Sequence, residues 1–211
     1  MDGRNLRQEL VSIDILRSCE QKASVWSGGT TTQLAIYPAG SEYKERRFEW
    51  RISTARVDSE ESVFTLLPGI HRTLMILEGR IELAHEGIRS ASLEPFMQDE
   101  FDGGWTTRSC GRCVDFNLMT AGQAKGKLEA VCPQNLNLFE REVESEAWEA
   151  FYCISETINV TVNIQNEVYA LKLNKGDFML ISTKKGAHSA RLLLHGVGSP
   201  AAVRATIYKN I

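Results

Sequence analysis

An all-β chain of jelly-roll type is predicted by three features of the sequence. About ten short segments alternate or cluster apolar residues in the manner of strands, turn residues punctuate them at close intervals, and helix-compatible composition is confined to one stretch. The central segment is Leu67-Pro68-Gly69-Ile70-His71-Arg72-Thr73-Leu74-Met75-Ile76-Leu77-Glu78-Gly79, a buried strand entered by a Pro-Gly turn and left by a Glu-Gly turn. Arg80 to His85 continues as a second strand, so the pair forms a hairpin, the unit from which jelly rolls are built. His71, Arg72 and Thr73 are polar within an apolar run and must face something specific. With 211 residues the chain suits one large β domain or two barrels of about 100 residues each.

Taken in order, Leu10 to Leu16 alternates and reads as a first strand. Val25-Trp26-Ser27-Gly28-Gly29-Thr30-Thr31-Thr32 places a Gly-Gly turn between an aromatic anchor and a Thr-rich strand that runs to Tyr37. As a phosphate loop it is poor, because no Gly-Lys-Ser/Thr follows and no helix begins. It is a tight turn before an edge strand, or a turn that also touches ligand. Phe48 to Val57 has period two: Trp50, Ile52 and Thr54 share one face, Arg51, Ser53 and Ala55 the other. The second face fits a ligand-binding row or, more simply, the wet side of a sandwich. Leu93 to Phe96 and Phe101 to Trp105 carry Pro and Gly-Gly punctuation among aromatics, as connections between short strands do. In Val114 to Met119 the apolar side is Val114, Phe116 and Leu118, leaving Asp115, Asn117 and Met119 for a pocket rim or a polar strand end.

Small, polar residues from Ala121 to Lys127 mark a division into a first barrel, 1–122, which holds the pocket, and a second, 123–211. The second half repeats the grammar of the first, with strands at 151–154, 158–163, 167–173, 178–181, 188–195 and 201–209. Only Leu138 to Ala150, rich in Glu, has helix-compatible composition.

Composition narrows the functional classes. Hydrophobic residues make up 43% and charged residues 24%, and the net charge is −3, which leaves no electrostatic footprint for nucleic acid. No window approaches the apolar length of a membrane span and the first residues lack a secretory core, so a cytoplasmic protein without membrane association is expected. Five cysteines, an odd number, read as reduced thiols. Cys110-Gly111-Arg112-Cys113 is a C-x-x-C pair, but it has no second pair and opens no helix, which speaks against redox or zinc use. No Gly-x-Ser-x-Gly elbow exists for nucleophilic catalysis.

Two turns resemble those of cupin barrels: Leu171 to Ile181 with its Gly176-Asp177 turn, and the hairpin Leu77 to Leu83. Metal-dependent cupins add a His-x-His pair, a carboxylate and a later His, whereas here His71, His85 and His188 are scattered and no His-x-His exists. Neither a catalytic metal nor any cofactor is therefore expected, and the histidines read as surface or strand-end residues. A more specific resemblance rests on ordered motifs: Trp26-Ser27-Gly28-Gly29-Thr30-Thr31-Thr32; Phe48-Glu49-Trp50-Arg51-Ile52-Ser53 with Ala55; Phe64 with Pro68-Gly69-Ile70 and Arg72; Leu77-Glu78-Gly79; Pro95-Phe96; and Asp115-Phe116-Asn117-Leu118-Met119. Together they resemble the HutD/Ves family of bacterial bicupins over about 26 to 119, the second half agreeing only in strand grammar.

That resemblance implies a tandem cupin, a double-stranded β-helix in each half, without catalytic residues or metal. In some members it is linked to control of histidine utilisation or to a stress-related metabolic response. The implied ligand is a small carboxylate such as formylglutamate or urocanate, with Trp26, Thr30, Arg51, Ser53, Arg72 and Asn117 as pocket residues. The chain departs from the family at Gln33, where members often carry an acidic residue, and at Cys110 and Cys113. Alternatives are a cupin enzyme of isomerase or hydrolase type on a small polar metabolite, and a sugar-binding jelly roll using Trp50 and Trp105 as stacking faces. Paired barrels leave exposed edges, so a homodimer is the expected assembly.

Overall fold

The structure is a computed structural model and describes residues 5–7, 10–139, 143–164, 167–187 and 190–209. Nearly every described element is a strand. Two open the chain, β1 (Asn5–Arg7) and β2 (Val11–Leu16). Ten follow in a compact unit of residues 21–124: β3 (Ala23–Trp26), β4 (Gly29–Tyr37), β5 (Trp50–Val57), β6 (Glu61–Val63), β7 (Ile70–Gly79), β8 (Ile81–His85), β9 (Arg89–Leu93), β10 (Gln98–Asp102), β11 (Thr107–Cys110) and β12 (Cys113–Ala121). The second unit joins residues 1–20 to 125–211. It adds β13 (Ala124–Val131), β14 (Asn135–Phe139), β15 (Ala147–Cys153), β16 (Thr157–Ile164), β17 (Glu167–Asn174), β18 (Phe178–Thr183), β19 (Ala190–Gly196) and β20 (Ala202–Lys209). No helix among the described residues is long and apolar enough to cross a membrane.

Each unit is a two-sheet jelly roll of cupin type. In residues 21–124 a six-stranded sheet, β10-β7-β12-β5-β4-β3, faces a four-stranded sheet, β6-β11-β8-β9. Leu74, Ile76, Phe101 and Cys113 of the larger sheet pack on Ile81, Leu83 and Leu93 of the smaller one. The second unit repeats the plan with β1-β2-β18-β15-β20-β13 over β14-β19-β16-β17. Its core joins Ile13, Phe151, Met179 and Ile181 to Val160, Val162 and Leu192. Period-two apolar residues make this possible, because alternate side chains of every strand point into the space between sheets.

The Glu78-Gly79 turn shows why the punctuation is glycine. Gly79 has φ of 82°, and a Cβ there would lie 2.3 Å from the carbonyl oxygen of Arg112, so any side chain would drive β7 away from the start of β12.

Two expectations need correction, and a third falls partly outside the described residues. The strand at 10–16, assigned with the first barrel 1–122, pairs instead with β18, Ile13 opposite Ile181, and so belongs to the second unit. Sequence neighbourhood was outweighed by an open sheet edge that Val11, Ile13 and Ile15 can cover with apolar side chains. The helix-compatible stretch Leu138 to Ala150 holds no described helix: β14 ends at Phe139, β15 begins at Ala147, and residues 140–142 lie outside the described residues. β15 is hydrogen-bonded on both sides, by β18 and β20, and its Glu149 is buried against Arg204, so pairing overrides a helical composition. The strand expected at 188–195 is described from Ala190, and residues 188 and 189, His188 included, lie outside the described residues.

Because Ile13 is 1% exposed within the second core, Ile13→Ala should destabilise the protein by about 2–5 kcal/mol in urea unfolding. A loss below about 0.5 kcal/mol would mean that β2 is not part of that core.

Candidate functional site

Sheet register sets out the site. β12 is central, with β5 on one side and β7 on the other, and on the face toward the smaller sheet it presents Cys113, Asp115, Asn117 and Met119 in sequence. Met119 lies opposite both Arg51 of β5 and Arg72 of β7. Two sheet spacings therefore separate the two arginine Cα atoms, about 10 Å. One pleat along, Asn117 faces Ser53 and Leu74, and one further, Asp115 faces Ala55 and Ile76. The last pairing follows a register shift on β7, where Ile76 and Glu78 pair with successive residues of β12 and Leu77 is left over. On β12 itself the alternation is unbroken, so Asp115 shares the face of Asn117 and Met119.

A cavity of about 300 Å³ lies over these rows. Its walls are Arg51, Ser53, Arg72, Asp115, Asn117 and Met119 from the larger sheet, Ile81 and Ser109 from the smaller one, Phe64 and Thr65 after β6, and Ser24, Trp26 and Tyr43 at one side. That volume is at the small end of the range for ligand pockets, the scale of a metabolite and not of a polymer.

Arg51 and Arg72 are each 6% exposed, so the face that pattern alone would make wet is interior. Both guanidiniums are held by neutral groups. Arg51 Nε donates to Gln33 Oε1 at 2.9 Å and Nη1 to Ser53 Oγ at 3.0 Å, with the guanidinium 4.4 Å from the centre of the Tyr43 ring. Arg72 Nη2 donates to Asn117 Oδ1 at 3.0 Å, and its guanidinium lies 4.6 Å from the Phe64 ring centre and 5.2 Å from that of Phe101. Its Nε is buried with no hydrogen-bonding partner among the described residues. Burial lowers both arginines, Arg72 to about 10, since the charged form has lost its water without gaining a carboxylate contact.

The acidic side chain in the cavity wall is Asp115. It accepts one hydrogen bond, from Asn117 Nδ2, and burial raises its carboxyl to about 7 despite the opposing pull of Arg72 and Asn117. The wall thus sets two guanidinium charges against a single carboxyl whose ionisation burial opposes.

Four of the six residues expected at the pocket, Arg51, Ser53, Arg72 and Asn117, converge on one wall. Trp26 stands at the side, 36% exposed. Thr30 does not line the cavity: it pairs with Arg56 on the outward-facing side of β4, and its neighbour Thr31, opposite Ala55, is the residue that reaches the cavity. Sequence reasoning passed over Tyr43, Phe64 and Phe101 as partners of the arginines. The aromatic residue's fit to a cation was the available signal, but loop and cross-strand neighbours are invisible before the fold is known.

Other candidates sort by burial. His85 is not a surface residue. It is 2% exposed, with Nδ1 2.8 Å from Thr107 Oγ1 and Nε2 2.7 Å from Asp99 Oδ2, while Arg89 donates to Asp99. This resembles a hydrolytic triad, yet Thr107 is fully buried and offers no nucleophile to a substrate. His71 is exposed, 3.6 Å from Glu100. Among the described residues no three His, Cys, Asp or Glu side chains form a group suited to a metal ion. Cys110 and Cys113 are free thiols at the ends of β11 and β12, and burial pushes Cys113 up to about 12, away from a reactive thiolate. Trp50 is 1% exposed and stacked on Tyr37, and Trp105 packs edge-on to His85, so neither presents a face to the cavity.

The Asp115 carboxyl predicts a pH dependence of stability. Its native pKa lies above that of an unfolded aspartate, so between about pH 4 and 7 the native state holds a proton that the unfolded chain has released, and stability from this group falls as pH rises through that window. Asp115→Asn should remove the fall and exceed wild type by roughly 1–3 kcal/mol at pH 8 in urea unfolding. A wild-type to variant difference that stays constant from pH 4.5 to 8 would contradict a buried, proton-retaining carboxyl.

Comparison with known proteins agrees with this architecture. Among solved structures, a conserved protein of unknown function from Pseudomonas aeruginosa PAO1 superposes with a TM-score of 0.76 at 22% identity, covering 94% of this chain and 99% of that one. HutD from Pseudomonas fluorescens SBW25 gives 0.71 at 18% identity, with 94% and 100% covered. The fold extends to oxalate decarboxylase from Bacillus subtilis, with a TM-score of 0.54 at 8% identity and 93% and 77% coverage. The comparison with curated proteins gave no match. The HutD family model matches residues 18–199, most of both units, and the chain belongs to the HutD family.

Proposed function

We propose that the cavity of residues 21–124 binds a small carboxylate metabolite and that the protein acts as a non-enzymatic sensor in metabolic regulation, in the setting of histidine utilisation that the family's name denotes. The observation that carries this reading is the pair of buried guanidiniums, Arg51 and Arg72, in one row on either side of Met119, with only neutral hydrogen-bonding partners among the described residues. A buried cation is stable in proportion to how well it is paired, and a carboxylate supplies both a charge and two acceptors matched to the guanidinium fork. Gln33 strengthens the reading, since an acidic residue there would neutralise Arg51 from within. Formylglutamate and urocanate fit the size and charge of the site, as does glutamate.

The enzymatic alternative has one observation in its favour, the near-neutral Asp115 carboxyl in the cavity wall, which suits proton transfer to a bound substrate. Incubating each carboxylate with protein and following it by NMR, together with metal analysis of the purified protein, distinguishes the two: turnover or a stoichiometric transition metal supports the enzyme.

Calorimetry of wild type and Arg51→Ala with formylglutamate, glutamate and urocanate tests the binding reading. At least one ligand should bind wild type, and the variant should lose about 2–5 kcal/mol of its affinity, because a desolvated charge-assisted contact is removed. Equal affinity in both proteins, or no binding of any of the three to wild type, would refute it. The same titration with Arg72→Ala should give a loss of similar size, whereas the Thr30→Ala variant should bind within about 0.5 kcal/mol of wild type, its side chain lying on the other face.

A further inference from the structure

Asp115 is out of place in an anion-binding cavity. It stands one pleat beyond Asn117 on β12, and Asn117 links it to Arg72: the amide nitrogen donates to Asp115 while the amide oxygen accepts from Arg72 Nη2. The charged and titratable groups that face it can be named strand by strand. β5 contributes Arg51, β7 contributes Arg72, β12 itself contributes Cys113, and Tyr43 lies in the cavity wall. Further along the same face, beyond Leu74, β10 places Asp99, already engaged by His85 and Arg89. The residues of the smaller sheet at the cavity, Ser62, Val63, Ile81 and Ser109, are uncharged. Arg72 is therefore the main support of an ionised Asp115, and it is the same guanidinium whose Nε has no hydrogen-bonding partner among the described residues.

A carboxylate that pairs with Arg72 cancels this support and sets a second negative charge near the first. Two carboxylates sharing one guanidinium in a desolvated site do not both remain ionised, and the one with the higher pKa keeps the proton. Ordinary ligand carboxyls titrate near 4, and burial holds Asp115 near neutrality, so the proton resides on Asp115.

We propose, building on the carboxylate-binding reading, that anion binding in this cavity is coupled to the uptake of one proton by Asp115, which in the loaded site is a neutral carboxylic acid and hydrogen-bond donor. The site then takes a carboxylate together with a proton, and its affinity reports pH as well as metabolite concentration. Above the free-state pKa of Asp115 the dissociation constant should rise by up to about tenfold per pH unit, the full linkage of one proton to one ligand.

Calorimetry with N-formylglutamate and with glutarate, both dianions from neutrality to pH 8, tests the coupling. At pH 8, titrations in buffers of different ionisation enthalpy should report between about half and one proton taken up per carboxylate bound, and affinity should strengthen from pH 8 toward neutrality and level off toward pH 6. Asp115→Asn should take up none and show a flat dissociation constant over the same range. Binding by wild type without proton uptake, or equal uptake by D115N, overturns the inference and leaves the carboxylate reading standing. If neither probe binds wild type, the reading falls and the inference with it. A carbon-13 titration of the free protein, with the Asp115 carboxyl assigned by its loss in D115N, should show a midpoint near neutrality, and a carboxyl ionised from pH 5 upward overturns the inference without any ligand.

Discussion

A guanidinium taken into a β-sandwich with no carboxylate among its described hydrogen-bonding partners is the constraint around which the first unit is arranged. Charge burial is unfavourable unless the lost hydration is replaced, and at Arg72 the replacement is incomplete: one amide oxygen, two aromatic rings and an Nε without a partner among the described residues. Arg51 is better served, by Gln33, Ser53 and Tyr43, but again by neutral groups only. A fold selected for stability alone would place a leucine or methionine at these positions, as it does at Leu74 and Met119 between and beside them. The strain of leaving two cations partly satisfied is intelligible when an anion completes the site.

Sheet geometry turns that chemistry into a site with direction. Rows across β5, β12 and β7 fix the order Arg51, Met119, Arg72, then Ser53, Asn117, Leu74, then Ala55, Asp115, Ile76. Both arginines share a row, the amide relay occupies the next, and the carboxyl the third. Because the rows belong to the central strands of a six-stranded sheet, whose opposite face also buries Ile52, Phe116 and Leu118, the side chains are held by a rigid scaffold. The smaller sheet covers the other side at Ile81 and Ser109, and the buried charges interact more strongly there than they would in water. The second unit has the same two-sheet plan but fills the space between its sheets with apolar side chains such as Val160, Val162, Met179 and Leu192.

Much of this was legible in the sequence, and the reasons are specific. The hairpin from Leu67 to His85 and the alternation of Phe48 to Val57 follow from period two and turn chemistry, which are local, so β5, β7 and β8 stand where expected within a few residues. Arg51 with Ser53, and Asp115 with Asn117, were legible as rows for the same reason. Whether those rows were wet or buried was not, because that depends on a second sheet whose position no local pattern encodes. Thr30 was missed by one residue, since Thr30, Thr31 and Thr32 are chemically alike and only pairing with β5 decides which points inward. The first strand went to the wrong unit because pairing across more than 160 residues, Val11 with Thr183, leaves no trace in periodicity. His85 is a strand end, as expected, but also the centre of a buried network, which stayed hidden because its partners Thr107 and Asp99 come from other strands.

The central claim is that Arg72 is a cation kept for an external anion, and the side-chain Nε–H of that residue reports on it directly. In a proton–nitrogen correlation spectrum tuned to arginine Nε, with the Arg72 signal assigned by its absence in Arg72→Lys, N-formylglutamate should move the Arg72 proton downfield in a saturable manner as the free N–H gains an acceptor. Its neutral diamide counterpart should leave the signal in place. An Arg72 Nε–H that does not respond to any carboxylate, or that responds equally to the diamide, would contradict the account.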